Sequence, residues 1–481
     1  MRSGHSYGSS PGDDDQEWRV MGRWCTARWR AGARRCRRLS AGAARGTVVG
    51  GVLCLVAALP GAGAAASGTP GGYAFAPDAR LVAGASGGAD AVRLEPGRTY
   101  RSSILPGSTL SYRLELDAGA TAYVPVTAVP PADATVSATD GVRVRMQDED
   151  GDACSYASAR FGAGLSPRPV TALATRETGR TQCAEAGTYY VVVERVASGV
   201  SDAAPAGPWD LELAPVTEPG LVRAGATEAP GAWDSATPGA LAGEPRRRDG
   251  GAGFASARTL GRGVWRADAE PGGTLFYKVP VDWGQRLHAT AELGGTTGDG
   301  GGDGVRGGYV SGALNLSLYN PVRGDVDDTT LSYSGTPRTV ALHALPPVEY
   351  RNRYGIPDEV RGTRFAGDYY LVVHLNGRMA ETFGPGPYAL TLRVRVDGAP
   401  HSAPGYAGAS EPRGLFEVTA ADRAAAGTGG DGGAGATGMR VLAAAGIGTG
   451  SALLVGLGVW TAVVRRRAGA QTRTSAQKPT A

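Results

Sequence analysis

An all-β fold is what this sequence predicts: two antiparallel, jelly-roll-like β-sandwich domains in tandem, with an N-terminal signal peptide and one C-terminal transmembrane helix. Three observations lead there. The stretch PGSTLSYRLELDAG (Pro106–Gly119) returns as PGGTLFYKVPVDWG (Pro271–Gly284), with Pro, Gly, Thr, Leu, Tyr, Asp and Gly in register. Within it Leu110, Tyr112, Leu114 and Leu116 alternate with Ser111, Arg113, Glu115 and Asp117, the period of two of a half-buried strand. No long segment of either copy carries apolar residues at the 3.6-residue helical spacing, which favours sheet packed on sheet.

Residues 1–66 read as a long basic region and signal peptide. Arginines crowd the segment up to Arg45, the apolar run TVVGGVLCLVAAL spans Thr47–Leu59, and small residues follow at Ala62, Ala64 and Ala66. The apolar run is shorter than the roughly 20 residues a spanning helix needs. Setting aside the basic residues at the two ends leaves the middle of the chain acidic, by about seven charges, so no nucleic-acid partner is expected.

The first sandwich is placed at 73–216 and the second at 253–397. Beyond the repeated hairpin, GTYYVVVERV (from Gly187) echoes GDYYLVVHLN (from Gly367), GPWDLEL (from Gly207) echoes GPYALTL (from Gly386), and VRVRMQD (from Val142) matches LNLSLYN (from Leu314). In each hairpin Asp-x-Gly supplies the reversal, at Asp117–Gly119 and Asp282–Gly284. Residues 217–251, rich in Pro, Gly and Ala and without periodicity, read as a linker. Residues 398–438 read as a flexible stalk. The uncharged run 441–464 is long enough to span a hydrocarbon core of about 30 Å. Arg465, Arg466 and Arg467 follow it, placing the tail 465–481 in the cytoplasm and the rest outside the cell membrane. Gly446 and Gly450 form a GxxxG pair through which two such helices could form a homodimer.

Taken together these motifs resemble the bacterial pre-peptidase C-terminal domain. The match consists of the lead-in FASARTLGRGVW (Phe254–Trp265), PG-x-TLFY with its alternating apolar residues, DxG, an acidic central turn, and the closing G-x-YYLVV and Y-A-L-T-L. It covers about Tyr73–Val216 and Gly253–Val396. The resemblance implies a jelly-roll-like sandwich with a binding or accessory role. The strong preference for Arg over Lys, whose only members are Lys278 and Lys478, suggests a GC-rich, actinobacterial-type genome.

Cys154 and Cys183 are the two cysteines left after signal removal, and in an exported domain such a pair forms a disulfide. Asp148, Asp150 and Asp152 crowd the turn DEDGD, and Asp325, Asp327 and Asp328 crowd its counterpart. Clustered carboxylates could hold Ca²⁺, although Gly151 comes too early for an EF-hand loop and Ala159 stands where its last ligand would be. No other cofactor is indicated.

The excursion PPVEYRNRYGIPDEVRGTRF (Pro346–Phe365) interleaves Tyr350, Arg351, Arg353, Tyr354, Arg364 and Phe365, suited to stacking on sugars or pairing with carboxylates. Its other reading is a loop that packs its own aromatics on the sheet. Arg323–Gly324–Asp325 spells RGD, a tripeptide that short chains of this composition reach by chance. For catalysis, GASGG (Gly84–Gly88) satisfies GxSxG with Ser86, but lacks the flanking strand and helix of a nucleophile elbow. His288, His343 and His374 are the candidate bases. The expectation is a non-catalytic binding or scaffolding protein of the cell envelope that engages a protein partner or cell-wall glycan. Two other classes stay open: an accessory subunit of a hydrolase, and a hydrolase in its own right.

Overall fold

In a computed structural model, residues 72–428 are described, apart from 198–206, 226, 237, 240 and 297–307. The expected signal peptide, the apolar run 441–464 with Gly446 and Gly450, and the tail lie outside the described residues. Among those described, no helix is long and apolar enough to cross a membrane.

The first copy contains ten strands: β1 (Arg80–Leu81), β2 (Val92–Arg93), β3 (Tyr100–Ile104), β4 (Thr109–Leu116), β5 (Ala120–Val129), β6 (Gly141–Gln147), β7 (Ala153–Arg160), β8 (Val170–Arg176), β9 (Gly187–Val196) and β10 (Trp209–Leu213). After β11 (Val216–Pro219), the second copy repeats the series as β12 (Arg246–Arg247), β13 (Arg258–Thr259), β14 (Gly263–Ala269), β15 (Thr274–Val281), β16 (Arg286–Leu293), β17 (Val310–Tyr319), β18 (Asp325–Tyr333), β19 (Arg338–Ala341), β20 (Gly367–Leu375) and β21 (Tyr388–Asp397). The sheet orders coincide strand for strand. One sheet runs β1-β3-β10-β5 with β8 and β11 also on β5, and its twin runs β12-β14-β21-β16-β19. The other runs β2-β4-β9-β6-β7, and its twin β13-β15-β20-β17-β18. We call these the β5, β16, β9 and β20 sheets. Pairing is antiparallel except where the short leading strands β1, β2, β12 and β13 lie parallel to β3, β4, β14 and β15.

The repeated hairpin behaves as its alternation dictates. Tyr112, Leu114, Tyr277, Val279 and Val281 are buried in the two cores, and Asp117 Oδ1 accepts the Gly119 and Ala120 N–H groups at 2.7 and 2.8 Å to close the turn. Cys154 and Cys183 are joined by a disulfide with Cα atoms 5.7 Å apart, tying β7 to the loop before β9. The bridge encloses a sequence separation of 29, worth about 3 kcal/mol in the chain-entropy model. Both cysteines are therefore expected to resist alkylation until reductant is added, and reduction is expected to lower stability by that order; intact-mass analysis and a denaturation curve check the two statements.

Two segments without periodicity turn out to be built into the fold. The stretch assigned to a linker begins with β11, paired on β5, and ends with β12, where the Arg246 guanidinium lies 4.1 Å from the Trp265 ring centre. The first part of the assigned stalk, up to Thr428, packs back on the sandwiches. Glu411 and Tyr406 bridge to Thr217 and Leu221, Phe416 stacks on Phe365 at 5.0 Å, and a short helix at Ala420–Thr428 places Arg423 2.6 Å from Asp282. The anchoring aromatics are too widely spaced to read as a strand or helix pattern.

Both sandwiches belong to one compact unit. The outward face of the β5 sheet meets the outward face of the β20 sheet. Three glutamates on the first side each take an arginine from the second: Glu212–Arg323 at 2.5 Å, Glu218–Arg353 at 2.6 Å and Glu177–Arg364 at 2.9 Å. Glu212 is 0% exposed and also accepts the Tyr73 hydroxyl at 3.0 Å. Aromatic packing seals the rest, with Tyr73 of the first copy against Phe276 of the second and Tyr123 against Phe365. A buried charge stripped of its partner is far costlier than an exposed one. Arg323→Met is expected to destabilise the unit by about 3–5 kcal/mol, whereas Arg80→Ala, which breaks the exposed Arg80–Glu95 pair, is expected to cost less than about 1 kcal/mol. Chemical denaturation of both variants measures the contrast.

Candidate binding site

Most of the aromatic and arginine-rich loop faces the joint between the sandwiches. After a 3-10 turn at Tyr350–Tyr354 and a short helix, α1 (Asp358–Gly362), it returns the chain to β20. Arg353 is held by Glu218 and lies 3.5 Å over the Tyr350 ring; Arg364 is held by Glu177; Phe365 is fully buried. These side chains are spent on the contact between sandwiches, so the loop does not offer its six residues as one ligand surface. Tyr354 remains exposed, and Arg351 pairs with its neighbour Glu349. The second reading of this loop, packing on the fold, describes most of it.

The RGD tripeptide is likewise turned inward. It forms the β17–β18 turn, with Arg323 at φ 57° and its N–H bonded to the Asn320 carbonyl at 2.8 Å, which aims the guanidinium at Glu212. In the DEDGD turn, Asp148 Oδ1 accepts the Asp152 N–H at 2.8 Å, as an ordinary turn does. Among the described residues no group of three or more His, Cys, Asp or Glu side chains converges on a point where a metal ion could sit, so Asp148, Asp150 and Asp152 do not form the expected Ca²⁺ site. Ser86 lies in a bend just after an isolated bridge between Ala85 and Ser111, not between a strand and a helix.

What the joint creates is a cleft along the edge where β7 and β8 of the first sandwich approach β17, β18 and α1 of the second. Two connected cavities, of about 490 and 410 Å³, share Ser158, Thr171 and Asp325 in their walls. Close backbone approach supports one end. Asn376 donates to the carbonyls of Gly164 and Gly312 at 2.7 and 3.2 Å, and Gly312 sits at φ 58° where a Cβ would come within 2.9 Å of Gly164 Cα. Only glycine fits that contact comfortably.

Of the titratable groups in the walls, His374 and Asp325 are displaced in ways that bear on the range between pH 3 and 7. His374 on β20 is 2% exposed; its Nε2 meets the Ser166 hydroxyl at 2.8 Å and its Nδ1 meets Thr274 at 2.9 Å. Burial, reinforced by the Arg168 charge, pushes it down to about 3. A serine beside a histidine suggests a nucleophile and its base. Ser166, however, is itself 3% exposed, and so depressed an imidazole is a weak base, which makes the pair a neutral latch between the sandwiches. Asp325, at the floor of the cleft, keeps contact with solvent yet is enclosed on most sides by protein. Desolvation first, then the charges of Asp328, Asp327, Asp358 and Glu359, raise it to about 7. His343, by contrast, is exposed and raised by its bond to Asp327 at 2.8 Å.

No protein-family model matches the chain, and no curated protein matches it. Among solved structures, the chain is weakly similar to the CUB1-EGF-CUB2 domain of human MASP-1/3, at 8% sequence identity, covering 61% of this chain and 99% of that one with a TM-score of 0.14. It is similar at the same level to tripeptidyl peptidase 2 (10% identity, 63% and 24% covered, TM-score 0.18). A third is the CBM22-1-CBM22-2 tandem domain from Paenibacillus barcinonensis Xyn10C (12% identity, 63% and 92% covered, TM-score 0.16). Likeness this low carries nothing about function, which leaves the geometry of the cleft as the guide.

The two displaced groups give stability opposite slopes with pH. Below 6.5 an unfolded chain protonates its histidine while folded His374 stays neutral to about 3, so this group makes stability fall as pH falls through that window. Folded Asp325 holds its proton up to about 7 while an unfolded chain releases it near 3.8, so this group makes stability fall as pH rises from 3.8 to 7. The Asp325→Asn variant is expected to become more stable between pH 4 and 6.5, by up to about 1.4 kcal/mol per unit. His374→Gln is expected to lose stability over the same rise, by less because water in the cleft screens Asp325. Urea midpoints against pH for the two variants decide it.

Proposed function

We propose that this chain is a non-catalytic extracellular binding or scaffolding protein of an actinobacterial-type cell envelope. In this reading 1–66 direct export, 441–464 anchor the chain in the cell membrane, 465–481 stay in the cytoplasm, and the two sandwiches, jelly-roll-like and akin to pre-peptidase C-terminal domains, stand outside. The observation that carries it is the buried Glu–Arg joint. Three charge pairs and an aromatic seal hold two sandwiches as one body and keep a long cleft open between them. A fixed cleft walled by two domains is a common place for a ligand, and holding it in shape ahead of binding reduces the ordering cost that binding must meet. The engaged, buried state of Ser166 and His374 and the position of Ser86 support a role without turnover.

Isolation of the whole protein from its host membranes, by a tag on the cytoplasmic tail after mild cross-linking, tests the reading. A near-stoichiometric protein partner or an envelope glycan is expected to accompany it. A partner hydrolase whose activity changes on removal of the chain would move the assignment to an accessory subunit. Recovery of the chain alone under every cross-linking condition would overturn the proposal.

A further inference from the structure

Two sheets that meet face to face ordinarily interdigitate their side chains at about 10 Å separation. Away from the cleft they do so here, through Tyr123 of the first sandwich against Phe365 of the second, with Tyr73 against Phe276 beside them. Along β7, β8, β17 and β18 many of the facing residues are instead small and hydroxylated, set among Arg160, Asp325 and Asp328. Ser155, Ser158, Thr171, Ser317, Thr330 and Ser332 line the space, together with the amide of Asn315.

The fold does not require this lining. The matching strand of the first copy, β6, carries Arg143 and Arg145 where β17 carries Asn315 and Ser317; there Arg143 pairs with Glu194 at 3.0 Å. Nor does the cleft suit a strongly charged guest. At its 490 Å³ end Arg180 and Arg364 share Glu177, Arg353 binds Glu218 and Arg361 binds Asp358, and at the other end Arg160 and Arg168 stand with Asp325 and Asp328, so charges of both signs are mixed along the walls. An apolar guest would lack partners among so many hydroxyls. One large flat side chain is open to stacking, since Tyr156 of β7, with the Arg143 guanidinium 5.8 Å from its ring centre, is still 60% exposed at the wall of the 490 Å³ end.

We propose that the cleft between the sandwiches binds a neutral polysaccharide strand, whose hydroxyls pair with the small polar side chains of β7, β8, β17 and β18 while Tyr156 stacks on a sugar ring. The proposal rests on the binding reading above and names its ligand class. An elongated cleft of this size takes several sugar units, and hydroxyl-to-hydroxyl pairing with one aromatic platform gives the modest affinity of a surface binder.

Titration calorimetry of the full-length protein in detergent tests it against two series of neutral oligosaccharides. One consists of N-acetylated amino-sugar oligomers, the chemistry of a wall glycan strand, and the other of hexose oligomers, the chemistry of other envelope polysaccharides. Binding of one series identifies the source. Tyr156→Ala and Thr330→Arg, both at exposed positions where the fold tolerates change, are each expected to weaken that binding about tenfold or more, while Tyr354→Ala, outside the cleft, leaves it unchanged. Failure of both series to bind the wild-type protein overturns the proposal, and so does binding that both cleft variants leave intact. In either case a protein partner recovered from host membranes would keep the broader binding reading standing, so the two can fail separately.

Discussion

Three glutamates of one sandwich facing three arginines of the other form the constraint on which the rest of the molecule depends. Such pairs add little net stability over an apolar contact, because each ion gives up its water to form them. Their effect is on geometry. Glu212 is inaccessible to water and accepts hydrogen bonds from Tyr73 as well as Arg323, so only one docking of the sandwiches satisfies it. Glu218 gathers Arg353, Tyr123 and Tyr406 in the same way, tying in the C-terminal segment. A joint specified by directional contacts can leave unfilled space beside itself without collapsing, and the cleft is that space.

Duplication supplied two equal sandwiches, and docking made them unequal. On the outward face of the first copy, β6 and β9 present Arg143 and Glu194 to solvent as an ion pair. The same two positions in the second copy hold Asn315 and His374, which the first sandwich covers. Glu212 shows the converse, since its counterpart on β21 is Thr391. Residues turned toward a core stayed alike, while those turned outward changed according to whether a neighbour came to lie over them.

This division explains what the sequence disclosed. The hairpin at Pro106 and Pro271 is local: its turn, its alternation and its Asp-x-Gly reversal all lie within a few residues, so strands and cores could be read directly. The disulfide followed from there being two cysteines beyond the expected signal peptide. The joint was not legible, because Glu212 and Arg323, or Ser166 and His374, are far apart in the chain and an isolated Glu or Arg looks like any solvated charge. Tyr350, Arg353, Arg364 and Phe365 drew notice for their chemistry, but nothing in their order indicated that their partners would be Glu177, Glu218 and Phe416. The signal that would have found the cleft was the set of differences between copies at outward positions, Arg143 against Asn315, Arg145 against Ser317 and Glu194 against His374.

The way the copies dock has a bearing on assembly. A β5-type sheet of one sandwich meets a β9-type sheet of the next, a head-to-tail contact between unlike faces. Contacts of that kind, repeated, generate a ring where the rotation closes and an open filament where it does not. Here each end of the series is terminated. The free β9 face at the front carries Arg143, Arg145 and Glu194, and the free β16 face at the back is crossed by the connecting segment, whose Asp234 and Gly239 carbonyls accept Arg286 and Arg395. Charge on one outward face and a covering strap on the other are the kind of surface that the terminal units of a repeat array carry.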